Sequence, residues 1–238
     1  MKIRNLLVMA AFLMLFSCAE KRANPLIQNL DKSWIVTTDT LNIKMEVDIP
    51  SVIQADMYEN GLIPHPYKSN IESQLHWIPQ HEWEYSLDFK AEDYILREDV
   101  IELVFEGLDT YADVWMNGKK ILHADNMFRT YSYDVKDIIK ETNNIKIKFY
   151  PFDKERDSLI ETYPLRFPEK YAVMRKAAYQ NGWDWAPRYM NMGIWQPVYL
   201  KAWTRSTICS ASVITNEIHD DKADLFFEAC INADVEHD

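Results

Sequence analysis

The 238-residue sequence predicts an all-β domain, a sandwich or barrel, and three observations carry that reading. Short stretches rich in Val, Ile, Phe and Tyr alternate with polar residues at the two-residue period of a half-buried strand. Turn residues separate them, and Asn117-Gly118 is the clearest pair. A two-residue type I′ hairpin needs positive φ at both central positions, which Asn and Gly tolerate. Helical periods are weak by comparison, and the roughly 175 residues from Leu30 to Arg205 suit one antiparallel domain.

The elements follow in order. Glu82 to Phe89 alternates polar and apolar residues throughout. Val100 to Phe105 and Ala112 to Met116 read as strands, and Asn117-Gly118 turns the chain back from the second. Asn144 to Phe149 alternates again, and Ile194 to Trp203 supplies one more strand. Short helical turns are expected near Val52 to Tyr58 and Tyr131 to Lys140. Past Arg205 the pattern restarts, with strands at Ile208 to Val213 and Leu225 to Ala233 around the acidic turn His219-Asp220-Asp221-Lys222. Two strands bury no core by themselves. Residues 206–238 therefore read as the start of a second β domain, truncated.

The amino terminus concerns destination. Lys2 and Arg4 precede an unbroken apolar run from Leu6 to Phe16, and Leu15-Phe16-Ser17-Cys18 follows. Eleven apolar residues are too few to span a bilayer core of about 30 Å as a helix. Residues 1–17 read as a secretory signal. The Leu-x-Ser-Cys ending resembles the bacterial lipobox, in which the cysteine is lipidated and becomes the first mature residue. Cys18 is the expected lipidation site, residues 18–29 a polar tether, and the cell envelope the expected location, with the membrane reached through the anchor.

Composition narrows the partners. A formal net charge of −11 argues against nucleic acid. His76 and His81 lie five residues apart, which fits neither a helix face nor a usual zinc spacing, so neither a metal nor any other cofactor is expected. Cys209 and Cys230 are left beyond the signal, and whether they pair is open.

The segment Tyr179 to Val198 holds Trp183, Asp184, Trp185 and Trp195. Flat aromatic faces beside a fixed carboxylate suit a pyranose, whose axial C–H groups pack on the ring while its hydroxyls donate to the carboxylate. The alternative is that these tryptophans are core residues of the sandwich. Asp184 bears on the choice, because a carboxylate between two large rings must be exposed or hydrogen-bonded. Gly182, one of five glycines in the chain, immediately precedes the triplet, where it lets the backbone turn.

Seven segments, in this order and spacing, resemble a known family. They are Ile49-Pro50-Ser51-Val52, Gly61 to Tyr67, Trp83-Glu84-Tyr85, Phe105 to Ala112, Asn126-Met127-Phe128-Arg129, Arg175-Lys176 and Gly182-Trp183-Asp184-Trp185. Residues from about Leu30 to Trp203 resemble the amino-terminal sugar-binding-like domain of β-mannosidases of glycoside hydrolase family two. The resemblance implies a galactose-binding-like jelly-roll β-sandwich over residues 30–205. It also implies that residues 206–238 begin an immunoglobulin-like domain, with a (β/α)₈ barrel to follow. It implies that Trp183 and Asp184 reach into the barrel's pocket and contact the terminal mannose of a glycan substrate, while Trp185 and Trp195 pack. His65 stands where the family usually has an acidic residue, and Ala186 where glycine is common. Retaining glycosidases use two carboxylates about 5–5.5 Å apart. The resemblance places both on the barrel, so no catalytic residue is expected in this chain. A free-standing carbohydrate-binding lipoprotein is the first alternative, and an adhesion or assembly module the second.

Overall fold

Strand alternation places one face of each segment in a shared interior, and the computed structural model, which describes residues 25–38, 40–162, 169–182 and 187–233, is built on that division. The strands are β1 (Leu26–Asn29), β2 (Trp34–Thr38), β3 (Ile43–Val47), β4 (Trp83–Lys90), β5 (Val100–Phe105), β6 (Leu108–Asp109) and β7 (Ala112–Met116), followed by β8 (Lys119–Ala124), β9 (Tyr131–Asp134), β10 (Thr142–Phe149), β11 (Gly193–Ile194), β12 (Val198–Trp203), β13 (Ser206–Ile218) and β14 (Ala223–Ala233). A four-stranded sheet runs β1-β12-β5-β9 and a six-stranded sheet runs β3-β2-β4-β10-β7-β8. Together they form the β-sandwich of a unit spanning Ile27–Thr204.

Register explains the core. In the six-stranded sheet Trp83 pairs with Phe149, Tyr85 with Ile147 and Leu87 with Ile145, so all six side chains lie on one face. In the other sheet Ile101 pairs with Ala202, Leu103 with Leu200 and Phe105 with Val198. All twelve residues are buried. Each large side chain among them adds about 1.5–3 kcal/mol relative to exposure. The buried indoles have partners: Trp34 Nε1 donates to the Leu30 carbonyl at 2.7 Å and Trp83 Nε1 to the Ile78 carbonyl at 3.0 Å.

The turn between β7 and β8 has the expected geometry, with φ of 51° at Asn117 and 82° at Gly118. Asn117 adds side-chain bonds to the Ile138 carbonyl and to Asn143 Oδ1, and accepts one from the Asn144 N–H. The first expected helical turn is α1 (Ile53–Glu59).

Four features differ from the sequence reading. Leu26–Asn29 is not tether but β1, hydrogen-bonded beside β12. Its four residues are too few for a period to show against the polar stretch before them. Tyr131–Asp134 is strand β9, paired with β5 from Phe105↔Tyr131 to Glu102↔Asp134, so the helical turn expected from Tyr131 to Lys140 is confined to its second half, where the Ile139 N–H donates to the Val135 carbonyl at 2.8 Å; long-range pairing overrides a weak local preference before it. The single strand expected from Ile194 to Trp203 is broken into β11 and β12 around Pro197, which has no N–H for a ladder. Besides the four-residue α2 (Asp93–Leu96), a third helix, α3 (Phe152–Thr162), forms. Phe152 is its one buried residue, so it has no apolar stripe for a sequence reading to detect.

The second unit includes the chain from Arg205 onward. It is an antiparallel hairpin of β13 and β14 closed by a bond from the His219 N–H to the Lys222 carbonyl at 2.8 Å. A register shift between Ile208 and Ser210 places Cys209 at a bulge, and Cys230 pairs with Ser210. Both thiols are free and exposed. The adjacent Cys209 thiol pushes the Cys230 thiol up from its ordinary pKa. His76 and His81 are half-buried. His76 lies 3.4 Å from Glu72, and the His81 ring meets Thr40 and Trp77.

Candidate functional site

Trp183, Asp184, Trp185 and Ala186 lie outside the described residues, as does Cys18. What the structure shows is the framework on either side of residues 183–186, and it is assembled from the segments the sequence singled out.

Gly182 has φ 89° and ψ −112°, a region open to glycine and costly for any residue with a Cβ. Its N–H is held by the Tyr179 carbonyl at 3.1 Å. A Cβ built there would also lie 3.3 Å from the Cβ of Arg188, on the far flank of residues 183–186. The Arg188 N–H itself donates to Glu72 at 2.8 Å. Both flanks are therefore fixed by backbone conformation or by a bond into the body of the unit.

The principal fastening is a buried ion pair. The side chains of Lys176 and Asp109 are each 1 % exposed. The Lys176 ammonium donates to Asp109 Oδ1, to the Asn191 carbonyl at 2.6 Å and to Thr110 Oγ1 at 3.4 Å. Its three protons thus have three acceptors. Asp109 Oδ1 also accepts from the Thr110 hydroxyl, and Oδ2 accepts from Gln180 Nε2 at 3.0 Å. Gln180 Oε1 in turn accepts from the Asn191 N–H at 2.8 Å. The network ties positions 176 and 180, before the tryptophan triplet, to position 191 after it, and all three to β6. Burial lowers the Lys176 pKa and the Asp109 charge opposes that fall. A lysine with every proton engaged serves as a pin for the segment and not as a nucleophile.

Neighbouring contacts complete the frame. The Met127 N–H donates to the Arg175 carbonyl at 3.0 Å, and the Met127 carbonyl accepts from Trp195 Nε1 at 3.0 Å. Trp195 is half-buried and acts in packing. Gln54 Nε2 donates to the Met190 carbonyl at 2.8 Å, and the Tyr189 hydroxyl donates to the Pro66 carbonyl. The sequence segments around Val52, Pro66, Asp109, Met127 and Lys176 therefore converge on residues 174–195. Asp109 and Lys176 fall within two of the seven segments, which by themselves assign them no role. The sequence carries no clear signal for them, since Lys176 directly follows Arg175 and Asp109 directly precedes Thr110.

Comparison with known proteins finds relatives over most of the chain. A β-mannosidase of Mus musculus is 29% identical over 187 residues, covering 74% of this chain and 21% of that protein. Beta-mannosidase A of Emericella nidulans is 31% identical over 182 residues, 71% of this chain and 19% of that protein. The crystal structure of a β-D-mannosidase from Dictyoglomus thermophilum superposes with a TM-score of 0.82 at 30% identity, covering 87% of this chain and 26% of that one. The chain thus spans about a fifth of the length of the curated relatives it matches. The model of the glycosyl hydrolase 2 galactose-binding domain-like family matches residues 29–196, across both sheets and the Lys176 framework, and the chain belongs to that family.

Proposed function

We propose that this chain is the amino-terminal portion of an exported, lipid-anchored β-mannosidase that hydrolyses terminal non-reducing β-D-mannose residues. In this reading Trp183 stacks on the sugar, Asp184 accepts its hydroxyl protons, and Cys18 carries the lipid. The acid/base and nucleophile belong to a barrel that follows in sequence. The observation that carries the reading is the framework of Asp109, Lys176 and Gln180, which fixes both flanks of residues 183–186 in a chain similar to β-mannosidases. A loop that is only a connector has no need of a buried, fully satisfied ion pair at its base, since burying charge is costly.

An antibody against residues 30–205, applied to native cell envelopes, tests the proposal. A band several times larger than the 28.1 kDa of this chain, turning over a chromogenic β-mannoside, is the expected result. In that enzyme Asp184→Ala should lower kcat/KM by about 10- to 100-fold, the worth of a hydrogen bond to a charged group of about 1.5–3 kcal/mol. A band near the mass of this chain, with mannoside binding and no turnover, would favour the free-standing carbohydrate-binding lipoprotein.

A further inference from the structure

A second aromatic surface lies beside this framework and shares Gln54, Tyr189 and Asn191 with it. Tyr58 at the end of α1, His65 and Tyr67 on the loop that follows, and Tyr189 form a chain of edge-to-face contacts. The ring centroids are 5.1 Å apart for Tyr58 and His65, 6.2 Å for His65 and Tyr67, and 5.2 Å for Tyr67 and Tyr189. These rings wall a cleft of about 260 Å³, to which Gln54 and Asn191 contribute the amide side chains.

Three properties define what the cleft accepts. Tyr67 is 71% exposed and Tyr58 43%, although both rings are braced by neighbours, so their apolar surface is open to a ligand. Among the described residues no Asp, Glu, Lys or Arg side chain lines the cleft, in a protein with 63 of them by composition; apart from the His65 imidazole, a charged ligand would find no partner there. Gln54 is 6% exposed, and its Oε1 has no hydrogen-bond partner although its Nε2 is bound to Met190. A buried acceptor left unpaired costs about 1–3 kcal/mol, a cost that a donor hydroxyl on a ligand removes.

We propose that this cleft binds one pyranose ring of a neutral saccharide. The C–H face of the sugar packs on Tyr67 and Tyr58, and a hydroxyl donates to Gln54 Oε1. A C–H face joined to donor hydroxyls is the complement of open aromatic walls around an orphan acceptor. The cleft lies wholly within this chain, whereas the Trp183 and Asp184 contact of the proposed function needs a barrel to complete it. Only the choice of mannoside as the sugar rests on that earlier reading.

Calorimetric titration of the 238-residue chain with mannobiose, and separately with cellobiose, tests the cleft. Saturable heat from at least one disaccharide is expected. Tyr67→Ala and Gln54→Met should each weaken it about tenfold or more, with circular dichroism unchanged, while Asp184→Ala leaves it intact. A preference for mannobiose over cellobiose would support the mannoside reading, and the reverse preference would count against that reading while leaving the cleft in place. Absence of heat from both sugars would overturn the proposal and mark the aromatic face as one that packs on polypeptide. Binding that survives both cleft substitutions, or that is lost in Asp184→Ala, would overturn it equally.

Discussion

Lys176 is the residue whose role is most at odds with its chemistry, since an ammonium group 1 % exposed persists only if every proton is engaged. Removing it leaves the buried Asp109 carboxyl with Gln180 and Thr110 as its remaining partners. Breaking one partner of such a pair costs about 3–5 kcal/mol, and in a domain of this size each kcal/mol moves the melting temperature by about 2–4 °C. Lys176→Met should therefore lower Tm by roughly 10 °C. Replacing both partners with apolar residues should recover much of that loss, because no orphan charge remains. A Tm unchanged in Lys176→Met would mean that the pair contributes nothing to the frame. Neither role was legible in the sequence for a physical reason. Lys176 and Asp109 are separated by 67 positions, and burial of a charge is a property of the folded interior. The tryptophan triplet, by contrast, is a local chemical signature and stands out without any fold.

Among the elements, strands were legible and helices less so. Val100–Phe105 and Ala112–Met116 coincide with β5 and β7 residue for residue, because each is a short run rich in β-branched and large apolar residues. α1 was read near its true place, yet its main tie was hidden. Asp56 on α1 accepts from the Ser51 hydroxyl at 2.5 Å and from the buried Tyr85 hydroxyl at 3.3 Å, joining the helix to β4. Burial pushes its carboxyl up to about 6; the bonds from Ser51 and Tyr85 oppose the rise and the charge of Glu59 adds to it. The folded pKa is above the ordinary value of 3.8, so the folded state holds this proton more tightly than the unfolded chain does. The associated stability is fully present below pH 3.8 and is lost as the pH rises to about 6. By neutral pH the loss is about 3 kcal/mol. Asp56→Asn removes the titrating group, so the fall in Tm from about pH 4 to 7 should be smaller in the variant than in the parent. Parallel Tm-versus-pH curves for the two proteins would show that Asp56 does not titrate in this range.

At the scale of the whole molecule the strand pattern of the sequence restarts after Arg205, and the contacts divide the chain between Thr204 and Arg205. The two units differ in how they hold themselves together. The sandwich of Ile27–Thr204 encloses Trp34, Trp83, Tyr85, Phe105 and Phe149 at full burial. The β13–β14 hairpin exposes Val213, Ile214, Leu225, Phe226 and Phe227. A two-stranded hairpin is marginally stable by itself, so it opens at far lower cost than global unfolding. Cleavage of a segment that opens and closes rapidly tracks the free energy of opening. Chymotrypsin, which cuts after large apolar residues, should therefore act first at Leu225, Phe226 or Phe227, although the sandwich holds far more aromatic residues. Mass spectrometry of a time course should show loss of the carboxy-terminal strand while a fragment retaining Trp34 to Trp203 persists with its near-ultraviolet dichroism intact. First cuts inside β4, β5 or β10 would mean that the sandwich is the weaker unit and that its aromatic core does not set the stability order.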